Sequence, residues 1–507
     1  MDEVDVLIVG AGPTGLTLAC ALRTQGVEVR VVDRADAPAT TSRANLLHAR
    51  GVEVLDRLGA VGDLPQDART AVTITSYVQG EPAGRLRFGD LGIGTARPAL
   101  LMSQVMVETR LRERLSELGG KPMWATEVMA LQQDADGVTA TVADGSRLRG
   151  RWVVGCDGAH SSVRKLAGIG FPGAPVADRF LIGDVRMSGM PDREGTHGWQ
   201  HPDGMVAAMP MPDPDRRDGR DDLWRLMVYL SGETDGDPDD EEILHRLREI
   251  VLRRTGQVDA VIHDAVWLSH FLIHRRLADS YRAERVLLAG DAAHVHSPFG
   301  GQGMLTGIGD AENLAWKLAL VVRGAAVDSL LDTYQAERRP LAEDVLRNTS
   351  GVTRLQTSNS LLVRLLRDRV LAPLFASPAI QRRATAVASQ LWVSYRRSPL
   401  APAWGVLGRK PRPGDRVPDL PVRRTDGTAS RLHAELGSGW ALIAQTVPAT
   451  GTVSTRLGPV AALASPEPRD GEAWLVRPDA HLAWRGPAES PELQRWLTAA
   501  LEQGSVR

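Results

Sequence analysis

The chain has 507 residues and a formal net charge of −2; 43% of the residues are hydrophobic and 24% are charged. This is the composition of a folded globular protein of about three domains. It offers no basic surface of the kind that nucleic-acid-binding proteins carry, and no run of about 18 apolar residues that would predict a membrane span. Cys20 and Cys156 are the only cysteines, which excludes a disulfide framework and a CxxC pair. We expect a reduced, cytoplasmic setting.

Residues 1–170 alternate between strand and helix patterns, with a small inserted β segment at about 72–97. Short apolar runs predict buried strands, and apolar residues at helical spacing predict helices. In chain order the predicted elements are the strand Val4–Val9, the helix Thr14–Gln25, the strand Glu28–Val32, the helices Arg50–Leu58 and Ser103–Leu118, the hairpin Val128–Val142 and the short strand Trp152–Val154. This alternation predicts a Rossmann-like α/β domain.

Residues 171–279 differ in character, because short apolar runs alternate there with polar loops. Met205–Met209 and Leu223–Leu230 are typical of strands, whereas Asp213–Asp222 and Gly232–Glu242 are typical of solvated loops. The segment predicts an antiparallel sheet that forms the wall of a pocket. Six of its side chains are candidates to line that pocket, with core packing as the alternative for each: Met205, Met209, Met211, Trp224, Met227 and Phe271.

Residues 280–345 return the chain to the first domain, through a predicted strand at Arg285–Ala289 and a long helix at Leu305–Val322. Residues 346–411 are predicted to be a helical segment, with Thr353–Tyr395 helical, followed by a linker. The Pro- and Arg-rich stretch Arg409–Gly414 leads into a final domain at 412–507.

The first motif, Gly10-Ala11-Gly12-Pro13-Thr14-Gly15, follows a strand and opens a helix. Gly10 permits a tight turn, Gly12 lets the backbone approach a pyrophosphate, and Gly15 lets the helix pack closely on the strand. Asp33 ends the second strand, where a carboxylate accepts hydrogen bonds from an adenosine ribose. These residues predict dinucleotide binding, and they leave NAD and FAD both open.

The second motif decides between these two cofactors. Asp291 follows the predicted strand Arg285–Ala289 and can hold the ribitol hydroxyls of a flavin. The helix that begins near Gly303, Met304 and Leu305 can direct its N terminus at the flavin N1–C2=O edge, where negative charge gathers on reduction. The competing interpretation is a glycine turn capped by an aspartate.

A third motif, Cys156-Asp157-Gly158-Ala159-His160-Ser161, again places an Asp-Gly turn between a strand and a helix. Asp157 and Ser161 are candidates to cap that helix, so this turn taken alone is equally explained by structure.

In this order and spacing, the three motifs resemble those of the single-component class A flavoprotein aromatic hydroxylases, including the phenol hydroxylases, the pentachlorophenol hydroxylases and the hydroxylases that tailor aromatic polyketides. The stretch Gly290–Ala319, GDAAHVHSPFGGQGMLTGIGDAENLAWKLA, is similar to the GD signature of that family over its full length. The resemblance implies an α/β fold: a Rossmann-like FAD-binding domain with an inserted antiparallel β-sheet substrate domain, a helical segment and a C-terminal thioredoxin-like domain. The last domain contains no cysteine, so we expect a structural or oligomerising role for it, with a homodimer possible.

The resemblance also implies positions for the cofactor. The residues that would hold the ADP half or the central region of FAD, or contact adenine through the backbone, are Gly10, Gly12, Thr14, Gly15, Asp33, Arg34, Arg43, Gln104 and Val128. Asp157 would be linked to FAD and NAD(P)H, and Arg164 would either support that turn or meet a nicotinamide phosphate. Pro298 matches a proline over the reactive face of the flavin, and Leu305 stands where the family usually has Asn. His294 and His296 flank this loop, with packing as the alternative to catalysis.

By resemblance, NADH or NADPH reduces FAD, O2 forms a flavin C4a-hydroperoxide, and one oxygen atom is transferred to a phenolic or polycyclic polyketide-like ring. Epoxidation or Baeyer–Villiger insertion on the same scaffold is the alternative, and antibiotic biosynthesis is a plausible setting, as is the degradation of foreign compounds. His48, His270 and His274 are candidates for a base that activates the substrate, each with a surface or packing role as the alternative.

Overall fold

The computed structural model describes residues 3–41, 44–70, 72–88, 93–212, 221–230, 238–296, 301–357, 377–402, 410–437, 439–487 and 490–506. Its strands are β1 Glu3–Val9, β2 Val29–Val32, β3 Leu46–Leu47, β4 Val72–Val78, β5 Glu81–Phe88, β6 Leu100–Leu101, β7 Pro122–Met123, β8 Val128–Gln133, β9 Val138–Val142, β10 Arg147–Gly155, β11 Gly173–Ser188, β12 Gly195–Gln200, β13 Val206–Pro210, β14 Leu223–Leu230, β15 Val261–Leu277, β16 Arg282–Ala283, β17 Val286–Leu288, β18 His294–Val295, β19 Pro421–Arg423, β20 Ala429–Arg431, β21 Trp440–Ala444, β22 Val460–Ala464, β23 Glu472–Val476 and β24 Leu482–Pro487.

Its helices are α1 Pro13–Thr24, α2 Ala49–Arg57, α3 Leu64–Asp67, α4 Gln104–Glu117, α5 Ser162–Leu166, α6 Asp240–Thr255, α7 Gly303–Val322, α8 Asp332–Thr357, α9 Pro378–Ala388, α10 Leu432–Leu436, α11 Gly451–Leu457 and α12 Pro491–Glu502. Short 3-10 turns lie at Gly290–Ala292 and Asp328–Leu331. No helix within these described ranges is long and apolar enough to cross a membrane.

The first sheet has the strand order β16-β17-β10-β1-β2-β7, and the hairpin β8–β9 is attached to β10. β1 pairs in parallel with β2 and β10, and β10 pairs in parallel with β17. Strands of this kind are covered on both faces, which explains the short apolar runs Leu7–Val9, Trp152–Val154 and Val286–Leu288 in the sequence. α1 packs against both α4 and α7. The predicted strand–helix–strand unit and the late return of the chain to this sheet are confirmed.

The second sheet has the order β18-β15-β11-β14-β13-β12-β4-β5. Among its described strands every pair is antiparallel except β4 with β12, which is parallel. The predicted antiparallel sheet therefore exists, but it also recruits β4 and β5 from the inserted segment of the first domain. The predicted loop Gly232–Glu242 was wrong at its end, because α6 begins at Asp240 with Asp239 as its N-cap.

The two faces of the second sheet are different. One face carries Trp224, Leu226 and Val228, which form a core with Ile243 and Leu247 of α6. The opposite face carries a separate apolar cluster of aromatic and methionine side chains: Phe180, Met205, Met209, Met227, Tyr229 and Phe271. Alternation along β14 produces this division, because successive side chains of a strand point to opposite faces.

The third sheet, with the order β20-β19-β22-β21-β23-β24, is mixed, as expected of a thioredoxin-like domain. Together the three sheets and their helices confirm the predicted fold class. The predicted helix Thr353–Tyr395 was wrong at its end, because α9 stops at Ala388 and Gln390 has a φ of 54°, a turn conformation. Its middle part, 358–376, lies outside the described residues. The predicted domain boundaries stay predictions.

The C-terminal domain is joined to the first domain through buried ion pairs. Glu337 of α8 accepts hydrogen bonds from Arg477 Nη1 and Nη2, both at 2.8 Å, and from Lys317 Nζ at 2.9 Å. Trp316 of α7 packs edge-on against Trp440, with 5.3 Å between the ring centroids. The hydrophobic core of the first sheet therefore continues into the third.

Candidate cofactor site

The glycine turn between β1 and α1 is closely packed on one side and open on the other. A Cβ atom at Gly10, where φ is 110°, would lie 2.3 Å from the carbonyl oxygen of Cys156. A Cβ at Gly15 would lie 2.0 Å from the carbonyl oxygen of Gly10. At Gly12, by contrast, no described heavy atom lies within 4 Å of that position. Gly12 is the N-cap of α1 and contributes no side-chain cap, so the open space faces the free N–H groups of the helix.

Asp33 braces this turn from the end of β2. Its Oδ2 accepts a hydrogen bond from Ala11 N at 2.7 Å, and its Oδ1 accepts one from Ala35 N at 2.9 Å. Each carboxylate oxygen can accept a further bond, as recognition of a ribose requires. Arg34, next in the chain, is exposed.

The second motif lies directly against the first. Gly290 has a φ of 64° and opens the 3-10 turn that carries the exposed Asp291. A Cβ at Gly290 would lie 2.5 Å from Thr14 Oγ1, and a Cβ at Gly307 would lie 2.2 Å from the same atom. Thr14 therefore fits between two glycines of the second motif. The two motifs are therefore adjacent, and a single cofactor extending from Gly12 to Asp291 stays a prediction.

α7 begins at Gly303, and both Met304 and Leu305 are buried. A Cβ at Gly51 would lie 3.5 Å from Leu305 Cδ1, so the leucine side chain packs towards α2. A contact between Leu305 and the flavin would consequently have to use its backbone.

The third motif is a cap, as predicted. Asp157 accepts from Ser161 Oγ at 2.6 Å and from Val163 N at 3.1 Å, and Ser161 Oγ accepts from Arg164 N at 2.9 Å. Arg164 donates from Nη1 to the carbonyl oxygen of Ala292 at 2.8 Å. Of the two roles left open for Arg164, these contacts favour support of the turn, since they join the third motif to the second.

Of four more predicted cofactor residues, the structure describes two. Gln104, at the start of α4, donates from Nε2 to Glu108 Oε1 at 2.7 Å, and burial raises the pKa of the Glu108 carboxyl. Val128 is buried at the start of β8. Arg43 and Pro298 lie outside the described residues, so their predicted contacts stay predictions.

The candidate histidines differ in their burial and in their partners. His294 is buried, in accord with the packing alternative, and its partner is a carboxylate: Nε2 donates to Asp310 Oδ2 at 2.6 Å. His48 is buried as the N-cap residue of α2. Burial lowers the pKa of His274, and the charges of Arg276 and His160 lower it further. The role of a base stays unassigned.

Two residues with no predicted role are central to the site. Asp310 of α7 is fully buried and contacts both the second motif and Arg338 of α8. The signal that could have identified Asp310 is a charged residue between Ile308 and Ala311 on a long, largely apolar helix, because a charge that such a helix buries requires partners.

The aromatic and methionine face of the second sheet approaches this site. Asn45, between α1 and α2, donates from Nδ2 to Met209 Sδ at 2.8 Å. Phe180 stacks on Phe271 with centroids 5.5 Å apart and tilts against Tyr229 at 5.4 Å. Four of the six candidate lining residues, Met205, Met209, Met227 and Phe271, belong to this face, and Met211 lies at its edge. Trp224 does not belong to it, since it packs on the opposite face with α6.

An open cradle at a helix N terminus, a braced carboxylate and a second exposed carboxylate fit the phosphates, ribose and ribitol of FAD. Comparisons with known proteins agree. Residues 3–349 match the FAD binding domain family, and residues 410–504 match the family described as the C-terminal part of aromatic-ring hydroxylases.

Similar proteins extend over nearly the whole chain. A rifampicin monooxygenase of Streptomyces venezuelae is 35% identical over 509 residues, covering 98% of this chain and 99% of the relative. The structure of an anhydrotetracycline hydroxylase from Streptomyces rimosus matches with a TM-score of 0.79 at 34% identity, covering 98% and 99%. A ternary complex of aklavinone-11 hydroxylase with FAD and aklavinone matches with a TM-score of 0.78 at 28% identity, covering 99% of each chain.

Proposed function

The chain belongs to the family of FAD-dependent aromatic-ring hydroxylases, and from that premise we propose that it uses NAD(P)H and O2 to hydroxylate a polycyclic, polyketide-like aromatic compound. Family membership makes it a flavin-dependent aromatic monooxygenase with FAD as its cofactor. The nicotinamide donor, the oxygen chemistry and the substrate class are the proposed part. A homodimer and a cytoplasmic location stay predictions.

We propose that FAD lies across the two adjoining motifs, with its pyrophosphate at Gly12, its ribose at Asp33 and its ribitol at Asp291. The observation that carries this placement is the contact of Thr14 with Gly290 and Gly307, because it sets the N termini of α1 and α7 side by side. Both helices then direct positive dipole ends toward one cofactor. When bound, FAD accepts a hydride and activates O2, and the protein contributes position and electrostatics.

The substrate would lie between the flavin and the aromatic and methionine face of the second sheet. Phe271 is partly exposed and offers a flat apolar surface for ring stacking, worth about 0.5–1.5 kcal/mol per aromatic pair, and the buried rings of Phe180 and Tyr229 support it. Met205, Met209 and Met227 add deformable surface that accepts irregular outlines. Relatives that act on rifampicin, anhydrotetracycline and aklavinone support a large multi-ring substrate.

The nicotinamide donor would bind at the third motif. Arg276 and His160 lie close enough to His274 for their charges, together with burial, to lower its pKa. Arg276 Nη1 donates to the carbonyl oxygen of Phe171 at 3.3 Å. The guanidinium of Arg276 carries a permanent charge that suits a phosphate of NADH or NADPH, and His274, whose pKa is lowered, would act there as a neutral hydrogen-bonding group. Arg276→Ala should raise the KM for the donor and leave bound FAD unchanged, whereas Arg347→Ala, on an exposed side chain, should change neither.

The test of function is a substrate panel with product mass. The FAD-loaded enzyme is supplied with NADH or NADPH and with phenols, naphthoquinones or multi-ring polyketides, under 18O2. The proposal requires faster donor oxidation with a multi-ring compound and a product heavier by one labelled oxygen atom. Label arriving from water would contradict monooxygenation, and stimulation by simple phenols alone would contradict the polyketide class. The structure of the product then separates hydroxylation from epoxidation or Baeyer–Villiger insertion.

A further inference from the structure

Asp310 is a fully buried carboxylate about two turns into α7. Oδ2 accepts hydrogen bonds from Gly290 N at 3.0 Å and from His294 Nε2 at 2.6 Å. Oδ1 accepts from Arg338 Nε at 2.7 Å. The side chain therefore contacts both ends of the segment 290–294, which includes the turn that presents Asp291.

Arg338 extends these contacts to the first turn of α7. Its Nη2 donates to the carbonyl oxygen of Thr306 at 2.9 Å, and its Nη1 donates to Tyr395 Oη at 3.0 Å. Thr306 directly follows Met304 and Leu305, the residues at the helix N terminus. One ion pair thus holds the two elements proposed to face the flavin, the Asp291 turn and the start of α7.

The charge on Asp310 is retained although the residue is buried. Burial by itself would raise its pKa, but the charge of Arg338, followed by His294, lowers the pKa below its ordinary value. A buried charge of this kind is costly unless all of its partners are in place. The pair therefore favours one geometry of the turn relative to the helix.

We propose that Asp310 is a positioning residue for the flavin, which fixes Asp291 and the N terminus of α7 relative to one another before FAD binds. The proposal rests on the cofactor placement above and is independent of the substrate. Asp310 itself lies behind the turn and contacts protein groups that in turn meet the cofactor, as supporting residues do in preorganised sites.

The test compares Asp310→Asn with Glu337→Gln, a matched loss of a buried carboxylate that pairs with Arg477 and Lys317 instead of the segment 290–294. The measurements are the FAD dissociation constant of the apoprotein, the visible circular dichroism and midpoint potential of the bound flavin, and the melting temperature without FAD. We expect Asp310→Asn to raise the dissociation constant about tenfold, the lower end of the roughly 10- to 100-fold loss measured for residues that support metal ligands, used here as the scale. We also expect it to change the flavin dichroism and lower the potential, while Glu337→Gln lowers only the melting temperature.

Asp291→Asn distinguishes failure of this proposal from failure of the cofactor placement. If Asp291→Asn weakens FAD binding and Asp310→Asn behaves like Glu337→Gln, the positioning role is refuted and the placement survives. If neither aspartate variant affects FAD, the placement is wrong and the positioning proposal falls with it. Should Asp310→Asn yield no folded protein, Arg338→Lys takes its place in the test. Lysine keeps the positive charge but cannot make the guanidinium hydrogen bonds to both Asp310 and Thr306. An unchanged flavin dichroism in that variant would equally refute the proposal.

Discussion

Replacing Gly12 with alanine should separate folding from cofactor binding. Gly12 has a φ of −78° and a ψ of −176°, which any residue adopts. Within the described part of the chain, no heavy atom lies within 4 Å of the added methyl group. Where the backbone is compatible in this way, a Gly→Ala change stabilises a protein by about 0.4–1 kcal/mol, because it reduces the freedom of the unfolded chain. The apoprotein should therefore melt at the same temperature or slightly higher.

FAD binding should respond in the opposite direction. The open space at Gly12 is where we place the pyrophosphate, and a methyl group there would push the phosphate away from the N–H groups of α1. Loss of one charge-assisted hydrogen bond costs about 1.5–3 kcal/mol, which corresponds to a dissociation constant raised roughly ten- to hundredfold.

The assay is titration of apoprotein with FAD, followed by fluorescence quenching, beside thermal unfolding of the apoprotein. Gly15→Ala is the control, since its methyl group would lie 2.0 Å from the carbonyl oxygen of Gly10 and must destabilise the apoprotein itself. Wild-type FAD affinity in Gly12→Ala, in a protein that folds normally, would refute the reasoning, because the backbone at Gly12 would then not be approached by the phosphate.

Three further predictions concern stability and the substrate. Burial would raise the pKa of Glu53, but the charges of its neighbours, first Arg416, lower it from 4.5 to about 2. The ionised carboxylate therefore contributes about 3 kcal/mol to the free energy of unfolding above pH 4.5, and this contribution is lost as the pH falls towards 2. Glu53→Gln should flatten the dependence of the melting temperature on pH over that range, and an unaltered slope would contradict this. Leu305→Asn should cost about 2–4 kcal/mol, because it buries an unpaired amide, and should leave the absorption spectrum of the flavin unchanged; a shifted spectrum would show that the side chain meets the flavin. Trp224→Ala should lower the melting temperature and leave the KM for the aromatic substrate unchanged. Phe271→Ala should raise that KM about two- to tenfold. If steady-state kinetics showed the reverse, the two faces of the second sheet would be misassigned.

The parts of the fold that could be predicted are those in which local pattern and packing agree. The middle strands of the first sheet are covered on both faces, so each contains a short apolar run, and the glycine turn of the first motif, the Asp157 turn and the Asp291 turn follow β1, β10 and β17. Proximity of the motifs was predictable too, since a single dinucleotide has to span them.

What escaped prediction depends on contacts between distant residues. α6 was taken for a loop at its start because Asp239 to Glu242 are acidic, although acidic residues suit a helix N terminus. Alternation along β14 defines two faces, but it does not tell which one α6 covers, and so Trp224 was grouped with Met227. The partners of Asp310 come from 16 to 28 residues away in sequence, and their convergence requires the fold.

The order of strands in the first sheet also has a consequence for how the protein is made. β10 pairs with β1 on one side and with β17 on the other, and β17 ends at Leu288. At about 5–20 residues per second, Leu288 is synthesised roughly 15–60 s after β1. During that interval the nascent chain carries an unfinished parallel sheet with an exposed edge, while most of the second sheet is already present. A ribosome stalled before Gly290 should consequently display a chain that retains no FAD.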